Sequence, residues 1–292
     1  SDLWKRLRFV LIGIIVYRIG THIPIPGIDP QRLSSLFDQN QGTILELFNL
    51  FSGGALERMS IFALNVVPYI SAAIIMQLFS NSIPYLIELK KDGQAGRNAI
   101  TQYTRYGTVL LAFIQASALA VTLSSGGLAY NPGTAFFVSA VFSVVAGTIF
   151  LMWLGEQISE RGIGNGISII IATSILTGIP SAIGQALEQA RQGDLNILML
   201  LSIGVLAMVV IAVVVFIERG QRRITVNYAQ RQQGRKLMQA QASHLPFKVN
   251  MAGVIPAIFA STFLLFPASL STWFGQGENF GFLQSISLAL NP

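Results

Sequence analysis

Cysteine is absent from the 292 residues, and histidine occurs only as His22 and His244. Without cysteine there is no disulfide framework, no thiolate metal site and no cysteine nucleophile. Two histidines are too few for a histidine-rich metal centre. Charge is scarce too: 11% of residues are Asp, Glu, Lys or Arg, against about 25% in a soluble domain. That is too little to coat a water-exposed surface of this size. Hydrophobic residues make up 52% of the chain, which excludes disorder. The composition points to an all-α polytopic membrane protein.

A membrane-crossing helix needs about 20 mostly apolar residues. Seven segments qualify, at 9–25, 61–80, 106–124, 135–154, 166–186, 197–217 and 251–270. The sixth carries no charge at all. The first carries Arg18 and His22 near one end and runs into Pro24 and Pro26. It competes with a signal-peptide reading, with Lys5, Arg6 and Arg8 as the basic region, but no A-x-A-like cleavage site follows it. A retained span is expected. With the N-terminus in the cytoplasm, 15 of the 19 basic residues fall on the cytoplasmic side. Arg18, Arg32, Arg58 and Arg191 fall on the other. The positive-inside rule therefore expects an N-in, multi-pass topology.

Two segments break this grammar. Residues 40–60 place Leu45, Phe48, Leu50 and Phe51 on a helical stripe that Gly53-Gly54 interrupts. An amphipathic helix on the membrane surface satisfies the pattern. So does a re-entrant helix folded into a cavity. Residues 218–250 set seven basic residues against one acid, Glu218. This loop is suited to phospholipid headgroups, to nucleic acid or to an acidic protein partner.

No Asp, Glu or Lys lies inside any of the seven spans. Coupled transporters use buried acids as relays or ion ligands, so a coupled pump is disfavoured. Serine occurs in the spans without a catalytic partner at depth. No catalytic residue, metal site or cofactor is expected. The Gly162-Ile163-Gly164-Asn165-Gly166 run follows a span rather than a strand and lacks a P-loop Lys-Ser/Thr. It reads as a tight turn in which glycine supplies positive φ.

Several longer motifs are more specific. They are IPIPGI at Ile23–Ile28, FSGGAL at Phe51–Leu56, SIFAL at Ser60–Leu64 and PYIS at Pro68–Ser71. QYTRYG at Gln102–Gly107, WLGEQ at Trp153–Gln157 and ERGIGNGIS at Glu160–Ser168 follow. ERGQRR at Glu218–Arg223 and KVNMAGVIP at Lys248–Pro256 complete the series. In this order they resemble the SecY/Sec61α family, whose members form the pore of the protein translocation channel. Two departures stand out. Asn65 occupies a position where the family usually has glycine, and seven spans are present where the family has ten.

The resemblance implies an inverted-repeat helix bundle around a central pore, with halves at 1–190 and 191–292. It implies a hydrophobic pore ring at Val66, Ile70, Ile171 and Ile258. It implies a plug at about 44–60, carried by Phe48, Phe51, Gly53, Gly54, Ala55 and Leu56. A lateral gate is implied at Ser71, Ile74 and Ile75 on one side and Ser261 and Phe266, beside Ile258, on the other. Arg219, Arg222, Arg223, Arg231, Arg235 and Lys236 are implied to dock the ribosome or the SecA motor. The implied partners are SecE, SecG, SecA, the ribosome with its RNA, signal peptides, nascent chains and lipids. The implied location is the inner (plasma) membrane. The competing classes are a small-solute channel or transporter using the same inverted-repeat logic and a membrane-embedded assembly factor with no pore. Without the resemblance the four ring residues read as ordinary helix packing.

Overall fold

A computed structural model describes residues 2–29, 32–33, 49, 52–193, 196–226, 232–233, 236–237 and 243–250. The described residues up to Ala182 form one compact unit, and those from Ile183 onward form a second.

In the first unit, α1 (Asp2–Gly20) is followed by turns through the two prolines. The helix at the first expected span therefore ends at Gly20, short of residue 25, because Pro24 and Pro26 cannot continue one, and it is not among the helices long and apolar enough to cross a membrane. The second span starts later than its hydropathy suggests. Residues 61–66 are turns, and helix α2 runs Val67–Ser82. Asn65 sits in the left-handed region at φ 50°, and Pro68 lies in the first turn of α2. Asparagine tolerates that conformation, and proline suits a helix start. A bend of 93° separates α2 from α3 (Pro84–Lys91).

Helices α4 (Gln94–Ser125), α5 (Thr134–Arg161) and α6 (Gly166–Gln192) follow. The unit boundary falls within α6. Among the described residues, four helices are long and apolar enough to cross a membrane, or five if α2 and α3 are one broken span. Helix α4 packs against α2 and α5, and α1 packs on α5. The α4 side of these contacts is a stripe of small residues at every fourth position: Thr104, Thr108, Ala112, Ala116 and Ala120, all buried. In a membrane, where helices gain little from hiding apolar area from lipid, such stripes allow close backbone approach. Gly147 of α5 lies so close to the Ile61 carbonyl that no side chain fits there. The turn between α5 and α6 uses Gly164 at φ 73°. Asn165 Oδ1 then caps α6, accepting from Ile167 and Ser168 amides at 3.0 and 3.3 Å.

In the second unit, α7 (Ile197–Arg219) starts at an Asn196 cap and is apolar around its whole circumference. Leu201, Val205, Val209 and Phe216 are all exposed, which suits a membrane interior rather than water. The segment 218–250, expected as a plain loop, contains a two-stranded antiparallel ribbon. In it β1 (Gln221–Val226) pairs with β4 (Ser243–Lys248), Gln221 facing Lys248. Between them β2 (Gln232–Gln233) pairs with β3 (Lys236–Leu237). The ribbon qualifies the all-α expectation. Its sequence signal is the β-branched Ile224-Thr225-Val226 run.

Candidate pore site

The segment from Ser52 to Val66 is pinned to its surroundings residue by residue. Ile25 donates its amide to the Met59 carbonyl at 2.8 Å, and Ile61 donates to Ile23 at 3.0 Å. Pro24 and Ser60 form an isolated bridge. The Ile23–Ile28 motif is therefore a backbone dock for the end of this segment. Within the segment, Gly53 and Gly54 have φ of 66° and 78°, conformations that glycine adopts without strain. A side-chain carbon at Gly53 would approach Ser174 Cα and Thr177 Oγ1 of α6 at 3.1 Å, so its backbone lies directly on α6.

Three of the four residues expected in the ring, Val66, Ile70 and Ile171, belong to or pack on one apolar cluster. Val66 is 1% exposed and belongs to a buried cluster with Val10, Tyr17, Ala55, Phe62, Leu151, Leu154, Ile158 and Ile170. Ile70 and Ile171 pack on that cluster half-buried. Ile167, one turn before Ile171 on the same face of α6, does the same. The sequence reading missed Ile167, although the four-residue spacing could have found it. Ala55 of the plug-like segment is in this cluster, whereas Leu56 belongs to a neighbouring one with Ile25, Met59 and Ala116. Tyr17 stacks on Phe62 at 6.1 Å, and Phe62 on Phe150 at 5.9 Å.

On α2, Ser71 Oγ donates to the Val67 carbonyl at 3.0 Å. Ile74 is half-buried and Ile75 exposed. The residues expected opposite them, Ile258, Ser261 and Phe266, lie outside the described residues, as do Phe48, Phe51, Arg231 and Arg235. Arg219 closes α7, and Lys236 is described only as a strand position. Arg222 and Arg223 are exposed on β1. Successive strand residues point to opposite faces, so the two arginines do not form one two-pronged site.

Two polar arrangements went unread in the sequence. Arg105 of α4 makes a forked pair with Glu156 of α5, at 2.9 and 2.8 Å. Both lie inside quoted motifs, yet nothing in a single sequence pairs them. A second group joins Tyr17, Ser52, Asn65 and Ser174, all buried. Among the described residues, no three His, Asp or Glu side chains gather to hold a metal.

Known proteins place the chain. The SecY family model matches residues 60–291. The chain is 63% identical over 292 residues to the protein translocase subunit SecY of Pseudomonas aeruginosa, covering 100% of this chain and 66% of that protein. It thus spans about two thirds of that relative's length. Its fold is similar to the SecY structure in which the plug domain stabilises the closed translocation channel. The TM-score is 0.68 at 20% identity, covering 95% of this chain and 60% of that one. It is similar also to Sec61 in the canine ribosome–channel complex from the endoplasmic reticulum. There the TM-score is 0.65 at 19% identity, covering 92% and 60%. With nine motifs in order, a family model over most of its length and a relative sharing nearly two thirds of its residues, the chain belongs to the SecY family.

Proposed function

We propose that the chain supplies the central part of a protein-conducting channel that moves secretory proteins across the inner membrane and releases membrane proteins into it. The observation that carries this reading is the meeting of Val66, Ile70 and Ile171 with Ala55 of the Gly53-Gly54 segment in one apolar cluster. A narrow constriction lined by branched aliphatic side chains sheds water, and ions then meet a barrier. The same side chains close around an unfolded chain of any sequence, because they demand no specific hydrogen bond.

In this reading Ile258, outside the described residues, is a fourth member of the ring. Phe48, Phe51, Gly53, Gly54, Ala55 and Leu56 form a plug. Ser71, Ile74 and Ile75 face Ser261 and Phe266 across a lateral gate, between halves at 1–190 and 191–292. A signal peptide would leave through that seam, gaining about 0.8 kcal/mol per buried methylene. SecE and SecG complete the complex in a multi-pass arrangement with the N-terminus cytoplasmic. SecA or the ribosome docks on the basic segment 218–250. The absence of acids from the spans weighs against a small-solute transporter with a polar site at mid-membrane.

The test is resting ion conductance of the full-length complex in planar bilayers. Replacing Val66 and Ile171 together by Asn should raise it well above background. Background conductance from a folded double variant would sink the ring assignment.

A further inference from the structure

The buried polar group around Tyr17 is the feature that the pore reading leaves unused. Tyr17 is 1% exposed, Asn65 2%, Ser52 3% and Ser174 0%. They come from four places: α1, the turn before α2, the plug-like segment and α6. Tyr17 Oη donates to the Ser52 carbonyl at 3.1 Å and lies 2.6 Å from Ser174 Oγ. Asn65 Nδ2 donates to Ser174 Oγ at 3.0 Å.

Proton counting orders these contacts. Tyr17 has one hydroxyl proton. With it directed at Ser52, Ser174 donates to Tyr17 and accepts from Asn65, a one-way relay from Asn65 to Ser174 to Tyr17 to the Ser52 carbonyl. With Tyr17 donating to Ser174 instead, the Ser174 proton goes to the Ile170 carbonyl of its own helix, at 2.9 Å. The first arrangement is the one that engages the Ser52 segment. The Ser52 hydroxyl is occupied locally: it donates to the Asn49 carbonyl at 2.9 Å and accepts from the Leu56 amide at 3.1 Å. Only the carbonyl of Ser52 is turned towards Tyr17. Independently, the Gly53 backbone lies on α6 at Ser174 and Thr177.

We propose that Tyr17, Ser174 and Asn65 form a buried hydrogen-bonded latch that holds the Ser52–Leu56 segment shut against α6. They are positioning residues for the plug, and the inference rests on the pore and plug reading above. Apolar contact alone closes this segment but tolerates sliding. A buried hydroxyl and amide must find their partners or lose the cost of desolvation, so the relay fixes one register. It also releases readily. Once the segment moves and water enters, each group exchanges its partner for water at little net cost. Asn65 therefore serves twice, with a backbone that suits a left-handed turn and a side chain that feeds the relay.

The experiment uses the full-length channel complex in planar bilayers, with driven transport measured in parallel. Deleting residues 49–56 tests the plug reading itself, and resting conductance should rise. Tyr17→Phe keeps the ring stacked on Phe62 but removes both Tyr17 bonds. It should raise resting conductance about fivefold, the loss expected for a net hydrogen bond or two. Transport through the opened channel should be unchanged. Asn65→Gly keeps the left-handed backbone, removes one donor, and should raise conductance less; it decides the matter if Tyr17→Phe fails to fold. Combining Tyr17→Phe with Ser174→Ala should add nothing, because Tyr17→Phe already severs the Ser52 carbonyl from Ser174 and Asn65. If the deletion leaves conductance at background, the plug reading falls and the latch with it. If the deletion leaks while Tyr17→Phe and Asn65→Gly stay tight, the plug stands and the latch is overturned. Additive leaks, or leaks matched by lost transport, overturn it as well.

Discussion

Side chains in this protein divide by whether their neighbours are near in sequence. Asn65 is a local problem. Its tolerance of a left-handed backbone is a property of the residue, and φ 50° is the conformation that property allows. Val66, Ile70 and Ile171 became candidates only through the family resemblance, since branched aliphatics in a span are otherwise ordinary packing. The Arg105–Glu156 fork was illegible because its partners are 51 residues apart. Arg105 is 45% and Glu156 21% exposed, so the pair lies between a surface bridge and a buried one. Arg105→Ala should cost about 1–2 kcal/mol, read as a lower midpoint of thermal unfolding in detergent. Arg105→Lys should restore little, since an ammonium cannot reproduce the two parallel bonds. A lysine variant as stable as the parent would show that charge, and not the forked geometry, carries this pair's contribution.

Helices were legible where apolar residues run unbroken and less so where backbone geometry intervenes. The cores of α4, α5, α6 and α7 fall inside the expected spans because hydropathy and helix coincide there. The boundaries moved where other physics acts. Pro24 and Pro26 end α1 early, and the turns at 61–66 delay α2. The polar starts of α4 extend it well beyond its apolar stretch, as helix propensity does not require a membrane. The ribbon in 218–250 was hidden by its charge, which suggested a solvated loop. On α4 the packing face and the outer face invite opposite outcomes. Ala116, 1% exposed, sits in the small-residue stripe, and Val121 is 57% exposed. Ala116→Leu should cost about 1–3 kcal/mol through overpacking, whereas Val121→Leu should be neutral. Equal unfolding midpoints for the two variants would mean that the stripe is not a tight contact.

At the scale of the whole chain, the uneven distribution of charge is what the expected spans and the proposed pore leave unexplained. Only a few positive charges beside a span are needed to orient it, and Arg219, Arg222 and Lys248 at the base of 218–250 meet that need. The other four basic residues of the segment, Arg223, Arg231, Arg235 and Lys236, are surplus to topology. Of these, Arg223 lies on the ribbon, where β1 pairs with β4 across six residues, and Lys236 on β3, which pairs with β2 beyond that pairing in sequence. Arg222 and Arg223 project to opposite faces, so a flat anionic surface meets only one of them. Such a ribbon suits a partner that reaches past the headgroups. Charge reversal at Arg223, Arg235 and Lys236 in the full-length complex should leave insertion and fold intact. It should weaken binding to ribosomes, to SecA, or to both. Ribosome binding through phosphate contacts should also fall steeply with salt, as condensed counterions are released. Co-sedimentation with each partner at several salt concentrations measures both effects. Unchanged affinity of the triple variant for both partners would reduce the segment to a device for orienting the chain in its membrane.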